Sequence, residues 1–242
     1  MNRIVRTAAL ATACFALVAA APKASLFDDN GTLRVYHRDR VLGTEDFSFE
    51  THGDSVFVFS HIHEVMPSPS GQDSVVKHIA MALARQDLEL RGYESNSRIA
   101  GHVARRRLDL EDTTFTSYLE DDNGGEGRAM VRPPGRMFVI EPRAFALFDL
   151  VFRSMHGSAL DERPVNVLYL GVARDTVIEA RIRRLGPESI RWGARLVQAQ
   201  KYSLSDNASE FVAWTLPDGR MVRLAQPNVG LRVERLPPGA RR

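Results

Sequence analysis

The chain has 242 residues, with 32 Lys and Arg against 30 Asp and Glu, a formal charge of +2. A balance so close to neutral argues against a general nucleic-acid binder, and a single cysteine excludes a disulfide framework. With 44% hydrophobic residues, the length is enough for one large domain with a self-sufficient core.

The first residues read as a secretory leader. Arg3 and Arg6 precede an apolar run from Ala8 to Ala21, and Pro22-Lys23-Ala24 offers a small residue before Ser25. The run is shorter than the roughly 20 residues a membrane span needs, and no second candidate span follows. Cys14 lies inside the run, which argues against a lipid anchor on it. The expected organisation is a signal peptide over residues 1–24 and a single antiparallel β domain over 25–242. Cleavage removes three positive charges (Arg3, Arg6, Lys23) and no acid, so the formal charge moves from +2 to −1. The expected location is the periplasm or the cell exterior.

Downstream, alternation predicts strands over Thr32–Leu42, Glu45–Thr51 and Ser55–Val65, then a loop at Pro67–Gly71. Ser74–Ala84 fits both periods; its surroundings favour a strand. Short strands follow over Leu88–Tyr93, Ser97–Arg105, Thr113–Leu119, Arg128–Arg132 and Arg136–Ile140. The period then changes. Phe145, Phe148, Phe152 and Met155 recur at helical spacing between Pro142 and Gly157, with Asp149 and Arg153 forming a thin polar edge. A helix apolar almost all round is a buried one. Six further strands are predicted over Val165–Leu170, Thr176–Leu185, Ser189–Tyr202, Glu210–Leu216, Met221–Gln226 and Leu231–Leu236. The fold class is mainly β: a strongly curved antiparallel sheet or open barrel with one buried helix over about 142–156.

Two stretches carry a resemblance. Residues 36–50 (YHRDRVLGTEDFSFE) and 214–235 (WTLPDGRMVRLAQPNVGLRVER) resemble the opening strand pair and closing hairpin of a broad group of secreted bacterial domains of unknown function. The resemblance implies an envelope-side β domain related in shape to lipid-carrier half-barrels. It brings no catalytic residues.

Chemistry-bearing patterns are few. His61 and His63 share one strand face, the start of a Zn or Cu site that needs further ligands, with His37, His78 and His102 the available imidazoles. Arg105-Arg106-Arg107 and Arg181-x-Arg183-Arg184 read as edge charge or as contacts for an anionic lipid surface. Glu120-Asp121-Asp122 lacks the alternation of a Ca²⁺ loop. There is no G-x-S-x-G elbow and no phosphate-cradling glycine loop, so a non-enzymatic protein without a cofactor is expected. Three functions stand open. The leading one binds a lipid or other apolar ligand in the concave face, with Phe145, Phe148, Phe152 and Met155 lining it. The second is an envelope scaffold with a protein partner. The third is metal binding through His61 and His63.

Overall fold

In the computed structural model, residues 26–68, 71–171 and 174–240 are described. Apolar–polar alternation along the chain becomes a ladder of consecutive hairpins. They are β1 (Asp29–His37), β2 (Arg40–His52), β3 (Ser55–Ser68), β4 (Gly71–Ala84), β5 (Leu90–Ile99), β6 (His102–Leu110), β7 (Thr114–Asp121) and β8 (Gly124–Val131). A short buried strand, β9 (Met137–Ile140), leads into the helix α1 (Ala146–Arg153). Six strands complete the chain: β10 (Glu162–Leu170), β11 (Asp175–Trp192), β12 (Arg195–Ser205), β13 (Glu210–Thr215), β14 (Met221–Gln226) and β15 (Leu231–Arg235).

All fifteen strands form one sheet, in the order β8-β7-β6-β5-β4-β3-β2-β1-β15-β14-β13-β12-β11-β10-β9. Every ladder is antiparallel except β9 with β10, which is parallel. The first and last strands meet, Val35 opposite Val233, so the N-terminal and C-terminal halves are stitched together at the middle. The sheet does not close: β8 and β9 are its two edges. It curves until its wings touch across the interior. Arg106 on β6 donates to Asp175 at 2.8 Å and to the Gly171 carbonyl at 3.1 Å, at the β10–β11 turn.

The main core lies on the inner face, around α1. Leu33, Phe49, Val58, Ile62, Ile182 and Leu204 converge there with the helix. A smaller cluster of Ile190, Ala199, Leu216 and Val222 packs with Trp192 and Trp214. It forms because the far half of the β11–β12 hairpin runs past β13 after an irregularity between Arg184 and Gly186. The hairpin is pinned where Trp192 Nε1 donates to the Arg235 carbonyl at 2.7 Å.

The main departures from the sequence-based expectations are local. The predicted strand over Thr32–Leu42 is two strands. Arg38 and Asp39 turn the chain at φ 48° and 67°, a primed hairpin turn made without glycine. Ser189–Tyr202 is likewise interrupted by a turn at Gly193. Conversely, Gly186-Pro187 does not break β11 but is absorbed within it. The helix is half the expected length: Arg143 at φ 73° prevents a start at Pro142. The signal-peptide expectation over residues 1–24 lies outside the described residues.

Candidate functional site

The inner face of β2–β5 should be apolar by the usual logic of a half-buried sheet, yet it carries charge. Period two sets Glu45 in line with the buried Phe47 and Phe49, and Ser60 and Glu64 in line with Ile62. These groups all serve the segment 141–146, which links β9 to α1. Lys77 Nζ donates to Glu141 Oε1 at 2.8 Å and to the Pro142 carbonyl at 3.0 Å. The Tyr93 hydroxyl donates to the other oxygen of Glu141, and Arg143 reaches Glu64. The Glu45 carboxylate accepts the backbone N–H of Phe145 at 2.7 Å and of Ala146 at 3.1 Å, and the Ser60 hydroxyl at 2.6 Å.

Glu45 thus acts as the N-cap that α1 lacks in its own sequence, since Phe145 offers no capping side chain. Full burial nevertheless raises its pKa to about 7; the bonds from Ser60, Ala146 and Phe145 moderate the rise. Burial raises Glu64 too, against the pull of Arg143. The Tyr93 phenol is pushed well up by burial and by Glu141 beside it.

The other end of α1 is tied to an ionic hub. Arg153 Nε donates to Asp149 Oδ1 at 2.9 Å, and its guanidinium also reaches Asp29 and the Leu26 carbonyl. Arg235 Nη1 donates to Asp29 Oδ2 at 2.8 Å, and the Met221 N–H to Asp149 Oδ1 at 3.0 Å. Burial opposes the charge on Arg153, but Asp149 and Asp29 outweigh it and hold its pKa above the usual arginine value. Burial likewise works against Asp29, and its two arginines overcome it, so its pKa lies below the carboxylate norm.

Between this fastened helix and the far wall of the sheet lies a cleft of about 420 Å³. Its floor is Val167, Ile178, Ala180 and Leu204, with Ile140 and Phe211 at the sides. These positions share one face: Val167 is opposite Ile178, and Leu204 is opposite both Ile182 and Phe211. Phe211 forms the boundary with the helix, its ring 4.6 Å from that of Phe148. Thr176, Ser205, Ser209, Tyr169 and Gln226 supply polar but uncharged lining. Among the described residues the only charged one in the lining is Asp206, whose Oδ1 is engaged by the N–H groups of Ala208 and Ser209, both at 2.7 Å.

No protein-family model matches the chain, and no curated protein matches it by sequence. Its fold is similar to that of a beta-barrel-like protein of a domain of unknown function, DUF1849, from Brucella abortus. The superposition has a TM-score of 0.56 and covers 86% of this chain and 96% of that one, at 7% identity. A likeness at that identity is one of fold: a curved β sheet of unknown activity.

The sequence-based site residues fall as follows. Phe145, Phe148, Phe152 and Met155 are all buried, and none lines the cleft directly. Phe148 backs it through Phe211, whereas Phe152 packs near Tyr202 with ring centroids 6.1 Å apart. His61 and His63 both sit exposed on the outer face. His61 is not drawn to His63 but to His78 on β4, with which it stacks at 4.2 Å. Partial desolvation and that neighbour lower the His78 pKa. Among the described residues, no group of three or more His, Cys, Asp or Glu is disposed to hold a metal ion.

Two expectations are corrected. Asp149 and Arg153 are not a polar edge but the buried hub described above. The run Arg105–Arg107 is split by strand alternation, with Arg106 turned inward to Asp175. Arg184 is neutralised locally by Asp161 at 3.2 Å, and Arg181 pairs with Glu162. The buried acids went unnoticed in the sequence, although Glu45 at two and four residues before Phe47 and Phe49 carried a readable signal.

Proposed function

We propose that this is an exported, non-enzymatic cell-envelope protein that holds an apolar, uncharged ligand on the inner face of its curved sheet, beside α1. The observation that carries the reading is the cleft floored by Val167, Ile178, Ala180 and Leu204, whose volume of about 420 Å³ falls in the usual range for ligand pockets, roughly 300–1,000 Å³. Export rests on the leader-like order of residues 1–24.

The chemical class follows from the lining. Among the described residues no Lys or Arg borders the cleft, so a fatty acid or phospholipid headgroup finds no countercharge from them. Hydroxyl and amide groups at Thr176, Ser205, Ser209 and Gln226 suit an ester or alcohol headgroup on a hydrocarbon chain. A neutral acylglycerol has this character.

Native mass spectrometry of protein from an exporting host tests the reading. A discrete added mass, stripped by organic solvent, is expected. Monoolein should then displace a neutral fluorescent naphthylamine probe from stripped protein, oleate much less so, and an Ile178→Lys variant should bind neither. A clean apo mass together with no probe binding would sink the proposal, and preferential displacement by oleate would overturn the neutral class.

A further inference from the structure

The two edges of the sheet are treated differently. Strand β9 is entirely buried and packs against α1. Strand β8 is bare: every residue is exposed except the half-buried Met130, and among the described residues no strand pairs with its outer side. Exposed edges are ordinarily blunted by proline, bulges or inward charges, because their free N–H and C=O groups recruit other strands. β8 has no proline and no irregularity in its ladder with β7; the charges it does carry on the inner face, Glu126 and Arg128, are of opposite sign and so can pair with those of a second copy.

The free backbone groups can be assigned. Thr113 and Arg132 extend the β7–β8 ladder, and the Arg132 N–H donates to the Thr113 carbonyl at 2.9 Å. In an antiparallel pair, hydrogen-bonded and non-hydrogen-bonded positions alternate. Even-numbered residues of β8 therefore bond inward to β7. Gly125, Gly127 and Ala129 aim their N–H and C=O groups outward, and they carry almost no side chain to obstruct a partner. Tyr118 lies over Gly127, where a Cβ would stand only 2.8 Å from its ring.

The side chains supply the register. Glu126 and Arg128 flank Gly127 on the opposite face, and across β7 they meet only Leu119 and Ser117. Neither has an ion-pair partner among the described residues. If β8 pairs antiparallel with a second β8 about a two-fold axis at Gly127, Gly127 bonds to its own copy and Gly125 bonds to Ala129. Glu126 then lies directly opposite Arg128, twice, in the close non-hydrogen-bonded positions. The strand is self-complementary in shape, hydrogen bonding and charge.

We propose that β8 is a dimerisation edge, joining two copies of this chain through an isologous β8–β8 ladder centred on Gly127. The test is sedimentation equilibrium of the mature protein, of Glu126→Arg and of Arg128→Glu, and of the two variants mixed in equal amounts. Both substitutions lie on an exposed edge, and circular dichroism confirms folding. The wild type should dimerise reversibly. Each variant places like charges opposite each other and should associate about tenfold or more weakly. The mixture should recover a heterodimer, in which the two arginines of one copy face the two glutamates of the other. A wild type that stays monomeric at its highest soluble concentration overturns the proposal. So do variants that dimerise like the wild type, or a mixture that fails to recover. Ligand binding is read in a separate assay, so failure here leaves the cleft untouched.

Discussion

Phe145 lies 100 residues beyond Glu45 in the chain, yet its backbone N–H reaches the Glu45 carboxylate at 2.7 Å. An α1 of eight residues is too short to be stable by itself. Its start is defined by a carboxylate from a distant strand, and its end by Arg153 in the Asp29–Asp149 hub. The helix is thus an insert fastened to the sheet by buried polar groups at both ends, and its own sequence contributes mainly the apolar surface between them.

Stability should fall as the pH rises through neutrality. Burial raises Glu45 from the ordinary 4.5 to about 7, so the folded state holds this proton more tightly than the unfolded chain. The group's contribution is complete below about pH 4.5 and is lost as the pH passes about 7, a change of about 3 kcal/mol. Glu64, also raised, acts in the same direction, while the lowered pKa of the more exposed His78 works weakly against it. Glu45→Gln keeps an acceptor for the helix N–H groups but cannot ionise. Urea unfolding from about pH 5 to 8 should give a markedly flatter profile for this variant. Equal slopes in variant and wild type would place the pH dependence elsewhere.

Breaking the hub should be severe and non-additive. Arg153 is fully buried between Asp149 and Asp29. Arg153→Met leaves both carboxylates buried with Arg235 as their remaining cation, which should cost about 3–5 kcal/mol. Combining it with Asp149→Leu removes part of that uncompensated charge, so the double variant should lose clearly less than the two single losses together. Simple additivity in a double-mutant cycle would show that the groups are not coupled.

Much of this architecture was legible from alternation and turn residues. The meander, the change of period near Phe145 and the curved open sheet all follow from local pattern, because strand periodicity survives in each segment. The turn at Gly193 carries its own glycine signal; the other departures have little local signal. Arg38 and Asp39 turn with positive φ where glycine or asparagine is the usual marker. Gly186-Pro187 looks like a break but sits just beyond the last β10 pair, Glu162 opposite Arg183, where β12 alone carries the strand on. The helix was overextended because its true boundary is set by Glu45 and by the backbone of Arg143, one remote and the other conformational. The cleft was invisible for the same reason: Ile140, Ile178 and Phe211 come from strands that only the sheet order brings together.

Gly43→Ala should be poorly tolerated although its φ is ordinary. A Cβ at this position would collide with the His63 carbonyl oxygen and stand 2.6 Å from the Glu64 Cα, both backbone atoms of β3. The strand pair cannot yield without displacing Glu64, which Arg143 engages. The expected loss is about 2 kcal/mol or more, measurable as a lowered urea midpoint. Gly92→Ala is the control, since open space surrounds that position. Equal losses at the two glycines would mean that the close approach of β2 and β3 is not what selects glycine at Gly43.

Phe148 and Phe152 should separate stability from binding. Both are buried aromatics of α1, and truncating either to alanine should cost about 3–5 kcal/mol. Their neighbours differ. Phe148 holds Phe211, which walls the cleft, whereas Phe152 packs near Tyr202, away from the cleft lining. Phe148→Ala releases Phe211 to swing into the vacated space, which enlarges the cleft and should shift its preference towards bulkier neutral ligands. Phe152→Ala should leave affinities in the stripped protein unchanged once measured well below its melting temperature. Displacement of a neutral fluorescent probe by acylglycerols of increasing chain length reads the difference. If the two variants gave the same ligand profile, Phe148 would be ordinary core and the cleft would not communicate with the helix.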